Sequence, residues 1–441
     1  MKRVRPAFLY AIMATALLAI GFLQGWNVSV TILNLCLVSA IMALGTNIQW
    51  GYAGLFNVGG MGFAALGGFA AVLSLPPVVG AWRVSGGGLA LSLVCVVAMI
   101  LATLWARRWL PAPWRLPATV VLIAGGLALA SLFFLPATSA IENFDAARNG
   151  YLGGIGLPVV VSWFVGGAFA AAAAWVTGKV ALGLRSDYLA IATLGISEII
   201  LAVMKNESWL TRGVKNVSGI PRPLTDEMSL REMEWFTRLA DYIGLAPSEL
   251  AGISVKLGYT VLFFLVLAVL LWLCERALYS PWGRMMRAIR DNHISASAMG
   301  KDVTKRHLQV FVLGSAVIGM AGAMLVSLDG VYAPGAYNPL RFTFLIWVMV
   351  IVGGSGNNWG AVLGAFLIWF VWVEAEPTGA WLMRLLSSPL PEDSLIHQRL
   401  VESAPHMRFL LMGLIMLLVL RFGPRGLIPE TAGGRGDLPR A

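Results

Sequence analysis

The sequence predicts an all-α, polytopic transmembrane bundle of about ten to twelve membrane segments. Three observations carry this. Hydrophobic residues make up 58% of the 441-residue chain and charged residues only 12%, where a soluble domain carries roughly 25% charged residues. Apolar runs of about 20 residues recur along the chain, the length at which a helix crosses the hydrocarbon core with its backbone polar groups satisfied internally. The charges fall between these runs, with basic loops alternating along the chain. The short alternating strands of a membrane β-barrel are missing from the pattern.

The runs lie at 7–24, 28–49, 56–75, 88–106, 117–137, 158–178, 186–205, 258–274, 308–328, 341–353, 358–374 and 408–421. The first follows a basic start and has no small-x-small cleavage pattern behind it, so it reads as a membrane anchor rather than a signal peptide. Lys2, Arg3 and Arg5 place the N-terminus inside. Arg107, Arg108 and Arg115, then Lys179 and Arg185, mark later inside loops. The segment 275–307 carries Arg284, Arg287, Arg290, Lys301, Lys305 and Arg306 against Asp291 and Asp302 within 279–307, and is inside again. Arg421, Arg425, Arg435 and Arg440 place the C-terminus inside, so the net charge of +10 reflects topology rather than nucleic-acid binding.

The opposite loops are less basic. Residues 375–407 hold Glu376, Glu392, Asp393 and Glu402 against Arg384 and Arg399. Residues 206–257 are mixed in charge. Within them Leu230, Met233, Phe236, Leu239, Ala240 and Ile243 recur at helical spacing, which predicts an amphipathic helix, either on the outer membrane surface or packed on its own loop. The pair 341–353 and 358–374 is broken by GGSGNNWG. Its first arm is short, as in a re-entrant or discontinuous helix, although a tight hairpin fits equally well.

Small residues recur four apart: Gly60, Ala64 and Gly68; Gly166, Ala170, Ala174 and Gly178; Ser315, Gly319, Ala323 and Ser327; Gly360 and Gly364. This spacing puts them on one helix face, where they permit the close backbone approach that drives helix association in lipid. On this reading Gly60→Leu disrupts the bundle.

Catalytic signatures are missing. The strings TGKVALG and MGKDVTK lack the spacing of a phosphate-binding loop, and no H-E-x-x-H, G-x-S-x-G or dinucleotide fingerprint occurs. Cys36, Cys95 and Cys274 and the four histidines show no metal-ligand spacing, so neither a cofactor nor a metal site is expected. Glu198 sits mid-segment in LRSDYLAIATLGISEIILAVM. It either lines a translocation path or ties two helices by hydrogen bonds, and the structural role is the favoured one. Asn57, Gly59, Gly60 and Asn338 join Glu198 as pathway candidates because they are polar or small near the ends of spans.

Several stretches together resemble a known family. They are NIQWGYAGLFNVGGMGFAALGGFAA at 47–71, LRSDYLAIATLGISEII at 184–200, LTRGVKNVSGIPRP at 210–223, SPWGRMMRAIRDNHISASAMGKDVTKRHLQVF at 280–311, VYAPGAYNPL at 331–340, VIVGGSGNNWGAVLGAF at 350–366 and FGPRGLI at 422–428. The chain resembles the integral-membrane permeases of ATP-binding-cassette importers for branched-chain amino acids, in particular the LivM branch. Segments 80–150 and 225–256 match less clearly.

The resemblance implies a permease subunit without catalytic activity. It would pair with a second permease of the LivH type above two cytoplasmic ATPases, and a periplasmic amino-acid-binding protein would deliver the cargo. It also implies a short coupling helix, best matched by 291–300. There Asp291, Ile294, Ala296, Ala298 and Met299 would meet the ATPase, Gly300 would cap the helix, and the flanking arginines would meet acidic ATPase surface or membrane lipid. Without the resemblance the same loop reads as a basic topology signal. Urea and short-amide permeases are the alternative cargo class, and a stand-alone secondary transporter is the alternative mechanism.

Overall fold

A computed structural model describes residues 6–145, 150–224, 226–388 and 394–430. Lys2, Arg3, Arg5, Glu392, Asp393, Arg435 and Arg440, which entered the topology argument, lie outside the described residues. The chain runs α1 (Pro6–Gln24), α2 (Trp26–Asn47), a π-helical turn (Ile48–Tyr52), α3 (Gly60–Val72), α4 (Val79–Trp109), α5 (Ala112–Asn143), α6 (Val159–Ala181), α7 (Ser186–Asn206) and α8 (Ser208–Thr211). It continues through β1 (Val217–Ser218), α9 (Glu227–Glu232), α10 (Glu234–Ile243), α11 (Pro247–Tyr279), α12 (Pro281–Asp291), α13 (His293–Ala298), α14 (Val303–Asp329) and β2 (Val331–Tyr332). A second π turn (Leu340–Phe344) leads into α15 (Leu345–Gly353), α16 (Asn358–Ser387), α17 (Leu395–Glu402) and α18 (Met407–Phe422). The two short strands pair antiparallel, Val217 opposite Tyr332.

Among the described residues ten helical stretches are long and apolar enough to cross a membrane, and Gly60–Val72 and Leu340–Gly353 are shorter apolar helices. The run at 56–75 is therefore not a continuous span. Residues 53–59 are irregular and only the remainder is helical, because Gly54 sits at φ +69° and breaks the ladder. The other short helix, α15, folds back on α16 as a hairpin. A Cβ on Gly360 would stand 2.7 Å from the Gly353 carbonyl oxygen, so Gly353 and Gly360 let the two backbones touch. Helices α4, α5, α11 and α16 run well beyond their sequence limits, and α16 continues to Ser387 through the start of the expected loop 375–407.

The core is built around α2 and α14, the two most buried spans. Helices α3, α6 and α2 pack on α14, and α11 and α16 pack on α2. The α4–α5 hairpin packs chiefly on itself, and most of its apolar side chains remain exposed on the chain surface.

Small residues sit at the closest approaches. A Cβ on Gly166 would lie 2.7 Å from the Gly67 carbonyl oxygen and 3.0 Å from the Ala323 Cβ, while Gly319 faces Ala170 and the Gly166 carbonyl. Ala170, Ala174 and Ala323 are fully buried, and Gly178 lies against Leu308. The α3 contact is wider than the expected stripe: Ala64, Gly67 and Gly68 all face α14, Gly68 at Val326, and Gly68 also meets Tyr337. Ser315 and Ser327, at the ends of the α14 stripe, accept hydrogen bonds from Gln49 Nε2 at 3.0 Å and Trp163 Nε1 at 2.9 Å.

The amphipathic segment is two helices rather than one. Met233 is extended at φ −80° and ψ 119°, and the chain turns there between α9 and α10. Both helices pack along α11, with Phe236 and Ala240 buried but Leu239 and Ile243 exposed.

Gly166→Leu is expected to lower the thermal midpoint of the detergent-solubilised protein, since overpacking costs about 1–3 kcal/mol. Gly60→Leu should act likewise, because its Cβ would stand 3.1 Å from the Phe342 carbonyl oxygen. Gly87→Leu, at a position with open space around it, is the control. Equal midpoints for all three would contradict this packing.

Candidate functional site

The irregular stretch 53–59 lies among α7, α14, the second π turn and α15, and side chains from α7 and α15, together with Asn57 itself, satisfy much of its backbone. Asn57 Oδ1 accepts from the Gly59 N–H at 2.8 Å, and Asn57 Nδ2 donates to Gln49 Oε1 at 2.8 Å. Gln49 Nε2 in turn donates to the Phe311 carbonyl at 2.9 Å and to Ser315 on α14. From α7, Thr193 Oγ1 accepts from the Val58 N–H at 3.1 Å, and Ser197 Oγ donates to the Gly59 carbonyl at 2.6 Å. From the π turn, Thr343 Oγ1 accepts from the Met61 N–H at the start of α3 at 3.2 Å, and from α15 Trp347 Nε1 donates to the Asn57 carbonyl at 3.0 Å. The rings of Trp50, Phe56 and Trp347 pack edge to face or tilted beside this knot, with centroids 4.7–5.6 Å apart.

Asn57, Gly59 and Gly60 are thus together, but buried and bonded inward rather than lining open space. Glycine is required at 59 because a Cβ there would stand 2.6 Å from Ser197 Oγ. Asn338 is exposed and caps the π turn, its Oδ1 accepting from the Arg341 N–H at 2.9 Å. The residues that the sequence reading missed are Gln49, Thr193, Ser197, Thr343 and Trp347. Their signal was polar side chains inside apolar runs.

Glu198 departs from its favoured role. It is exposed on α7 and makes no hydrogen bond or ion pair with any described residue, so it does not tie two helices of this chain together. An ionised carboxylate facing lipid at mid-helix costs about 2.5–3.5 kcal/mol. Its surroundings in the membrane must therefore come from water or another molecule.

Below the knot lies the basic loop. Ser280 Oγ accepts from the Gly283 N–H at 3.3 Å and starts α12, with Pro281 in the first turn and Met286 and Ile289 buried beneath it. Asn292 Oδ1 accepts from the Ser295 N–H at 3.0 Å and starts α13. The expected 291–300 helix is therefore split at Asn292, and Asp291 ends α12 beside Arg290. Gly300, at φ +76°, closes α13: its N–H donates to the Ser297 carbonyl at 2.9 Å, and Lys301 N–H donates to Ala296 at 3.2 Å. Ile294 is 71% and Met299 79% exposed, and Ala298 is exposed with them. Ala296 is buried, so it leaves the expected contact face.

One side chain joins loop and knot. The Arg290 guanidinium donates to the Gly51 carbonyl, at the end of the first π turn, and to Glu430 Oε2 at 2.9 Å. Beside it Asn47 accepts from the Gly356 N–H at 2.8 Å and donates to Asn358 Oδ1 at 3.1 Å. Tyr52 OH donates to the same Asn358 oxygen at 2.6 Å, and Asn358 Nδ2 donates to Glu275 Oε1 at 3.0 Å. A cleft of about 900 Å³ opens between α7, α13 and residues 53–55, with Arg185, Arg290, Ile294 and Ala298 on its walls. No cluster of metal-ligating side chains occurs among the described residues. The arrangement fits a mechanical path from an exposed loop to a broken membrane helix.

Known proteins match this chain. The family described as the permease component of the branched-chain amino acid transport system matches residues 116–420, which leaves the irregular stretch 53–59 outside the matched range. The high-affinity branched-chain amino acid transport system permease protein LivM of Escherichia coli is 28% identical over 274 residues, covering 60% of this chain and 56% of that protein. The probable branched-chain amino acid transport permease protein LivM of Methanocaldococcus jannaschii is 28% identical over 297 residues, covering 67% and 74%. The fructose import permease protein FrcC of Rhizobium meliloti is 23% identical over 166 residues, covering 37% and 39%. The chain thus spans just over half the length of the E. coli relative that it matches. No solved structure matches. With most of its length inside the family match and its helices long enough to cross a membrane, the chain belongs to the family of branched-chain amino acid transport permease components.

Proposed function

We propose that this chain is the permease subunit of an ATP-binding-cassette importer that moves branched-chain amino acids, and that it hydrolyses no ATP itself. The observation that carries the reading is the family match together with the transport role that the names of its LivM relatives state. In this reading the protein sits in a bacterial inner membrane with both termini in the cytoplasm. It pairs with a second permease of the LivH type, two ATPases dock from below, and a periplasmic binding protein delivers cargo from above. The connections between α7 and α11 and between α16 and α18 then face outward, and 275–307 faces the ATPases.

The shape of the basic loop supports this role. Two capped short helices hold Ile294, Ala298 and Met299 clear of the bundle, and an exposed apolar trio beside arginines suits a cleft on a motor subunit. Arg290 then carries displacement of the loop to the Gly51 carbonyl and so to the interrupted helix.

The test is purification of the tagged chain from native membranes in mild detergent, with mass spectrometry and an ATPase assay. Recovery of a second permease and two ATPases is expected. A chain that purifies alone and moves solute without ATP contradicts the reading.

Ala298→Asp and Ile294→Asp should each cut the ATPase recovered with the complex about tenfold or more, the scale of a central interface residue, without blocking membrane insertion. Normal ATPase content would refute the docking face.

Arg290→Gln should let the complex assemble and hydrolyse ATP, while the amino acid taken up per ATP falls severalfold. An unchanged ratio would remove Arg290 from the path.

A further inference from the structure

The carboxylates in the interiors of the membrane-spanning helices have partners within the chain, with Glu198 the exception. Glu275 accepts from Asn358 at 3.0 Å, Glu374 accepts from Gln24 Nε2 at 2.8 Å, and Glu376 pairs with Arg408. Glu198 has none among the described residues.

Its placement is specific. Ser197, one residue earlier, points into the knot and holds the Gly59 carbonyl. A step of one residue turns a helix by about 100°, so Glu198 leaves the same level of α7 on the open side. Its neighbours one turn away on that side are Gly195 and Ala202, both exposed, and the space beside Gly195 is empty. The carboxylate therefore stands on an exposed helix face, flanked by two small residues. Around it Ile191, Ile199 and Val203 offer exposed apolar surface. One exposed anionic group, flanked by small residues and bordered by aliphatic side chains, complements a small molecule with one ammonium group and an aliphatic body.

We propose that Glu198 receives the ammonium group of the amino acid as it passes along the open face of α7, which the second transmembrane subunit encloses. The inference rests on the importer reading and sharpens it. A neutral amide such as urea carries no ammonium group, so Glu198 selects for amino acids against that alternative cargo. The bond is made at an exposed face rather than in a closed pocket, which suits a site that must also let go. The competing occupant is a cationic side chain of the second subunit, and the experiment separates the two.

The complete complex is reconstituted in proteoliposomes with its binding protein, as wild type, Glu198→Gln and Glu198→Asp. Labelled leucine uptake, ATP hydrolysis and subunit composition are measured. Glu198→Gln should keep all subunits in the purified complex, while leucine taken up per ATP hydrolysed falls at least tenfold. Glu198→Asp, which keeps the charge, should recover part of that loss. A ratio within twofold of wild type for Glu198→Gln overturns the proposal. Loss of the second permease from the Glu198→Gln complex also overturns it, and makes Glu198 a contact between subunits. A wild-type complex that hydrolyses ATP but takes up no amino acid defeats the importer reading itself, a failure that the mutant comparison alone cannot produce.

Discussion

Backbone that leaves the helix inside a membrane bundle must find a hydrogen-bond partner for every buried N–H and C=O, because lipid supplies none. Residues 53–59 meet this demand with side chains drawn from distant parts of the sequence. Asn57 bonds to Gln49, which bonds in turn to α14; Thr193 and Ser197 reach in from α7; Thr343 and Trp347 reach in from the segment after β2. The same bonds that satisfy the interruption therefore fix where α3, α7 and α15 stand relative to one another.

Two consequences follow for the proposed permease role. The interruption is a natural place for movement, since an irregular strand changes its dihedral angles at less cost than a closed helical ladder. It is also tied to the basic loop through the Arg290 guanidinium and the Gly51 carbonyl, at the π turn where α2 gives way. Force on α12 and α13 thus has a short route to the interruption and, through Ser197, to α7. The glycine contacts of α3, α6 and α14 form the rigid frame against which that route acts.

Much of this was legible in the sequence. Length and hydropathy located the membrane helices, although the run at 56–75 is broken and α4, α11 and α16 extend well past their expected limits, and small residues of α6, α14 and α16 lie at close contacts. The basic loop and its capping glycine were also legible, because Gly300 after an apolar turn is a local signal. Pairings between distant residues were not. Ser197 looks like any serine in an apolar run until the fold brings it to Gly59, and Gly67 joins Ala64 and Gly68 against α14 because helix rotation, which spacing alone does not set, turns it that way too. The break at Met233 was hidden because its apolar side chain fits the helical period on either side. Glu198 was misread in favour of a structural bond because a lone buried carboxylate usually has one. Only the direction of its side chain, away from the rest of the chain, argues otherwise.

The measurement that bears most directly on this account is the stability and transport of an Asn57→Leu variant in the assembled complex. Leucine keeps the volume but strands Gln49 Oε1 and the Gly59 N–H, at a cost of about 1–3 kcal/mol for each unsatisfied group. The account predicts a lower thermal midpoint together with loss of uptake, since the interruption both holds the helices and carries the motion. A variant that melts and transports like wild type would contradict it.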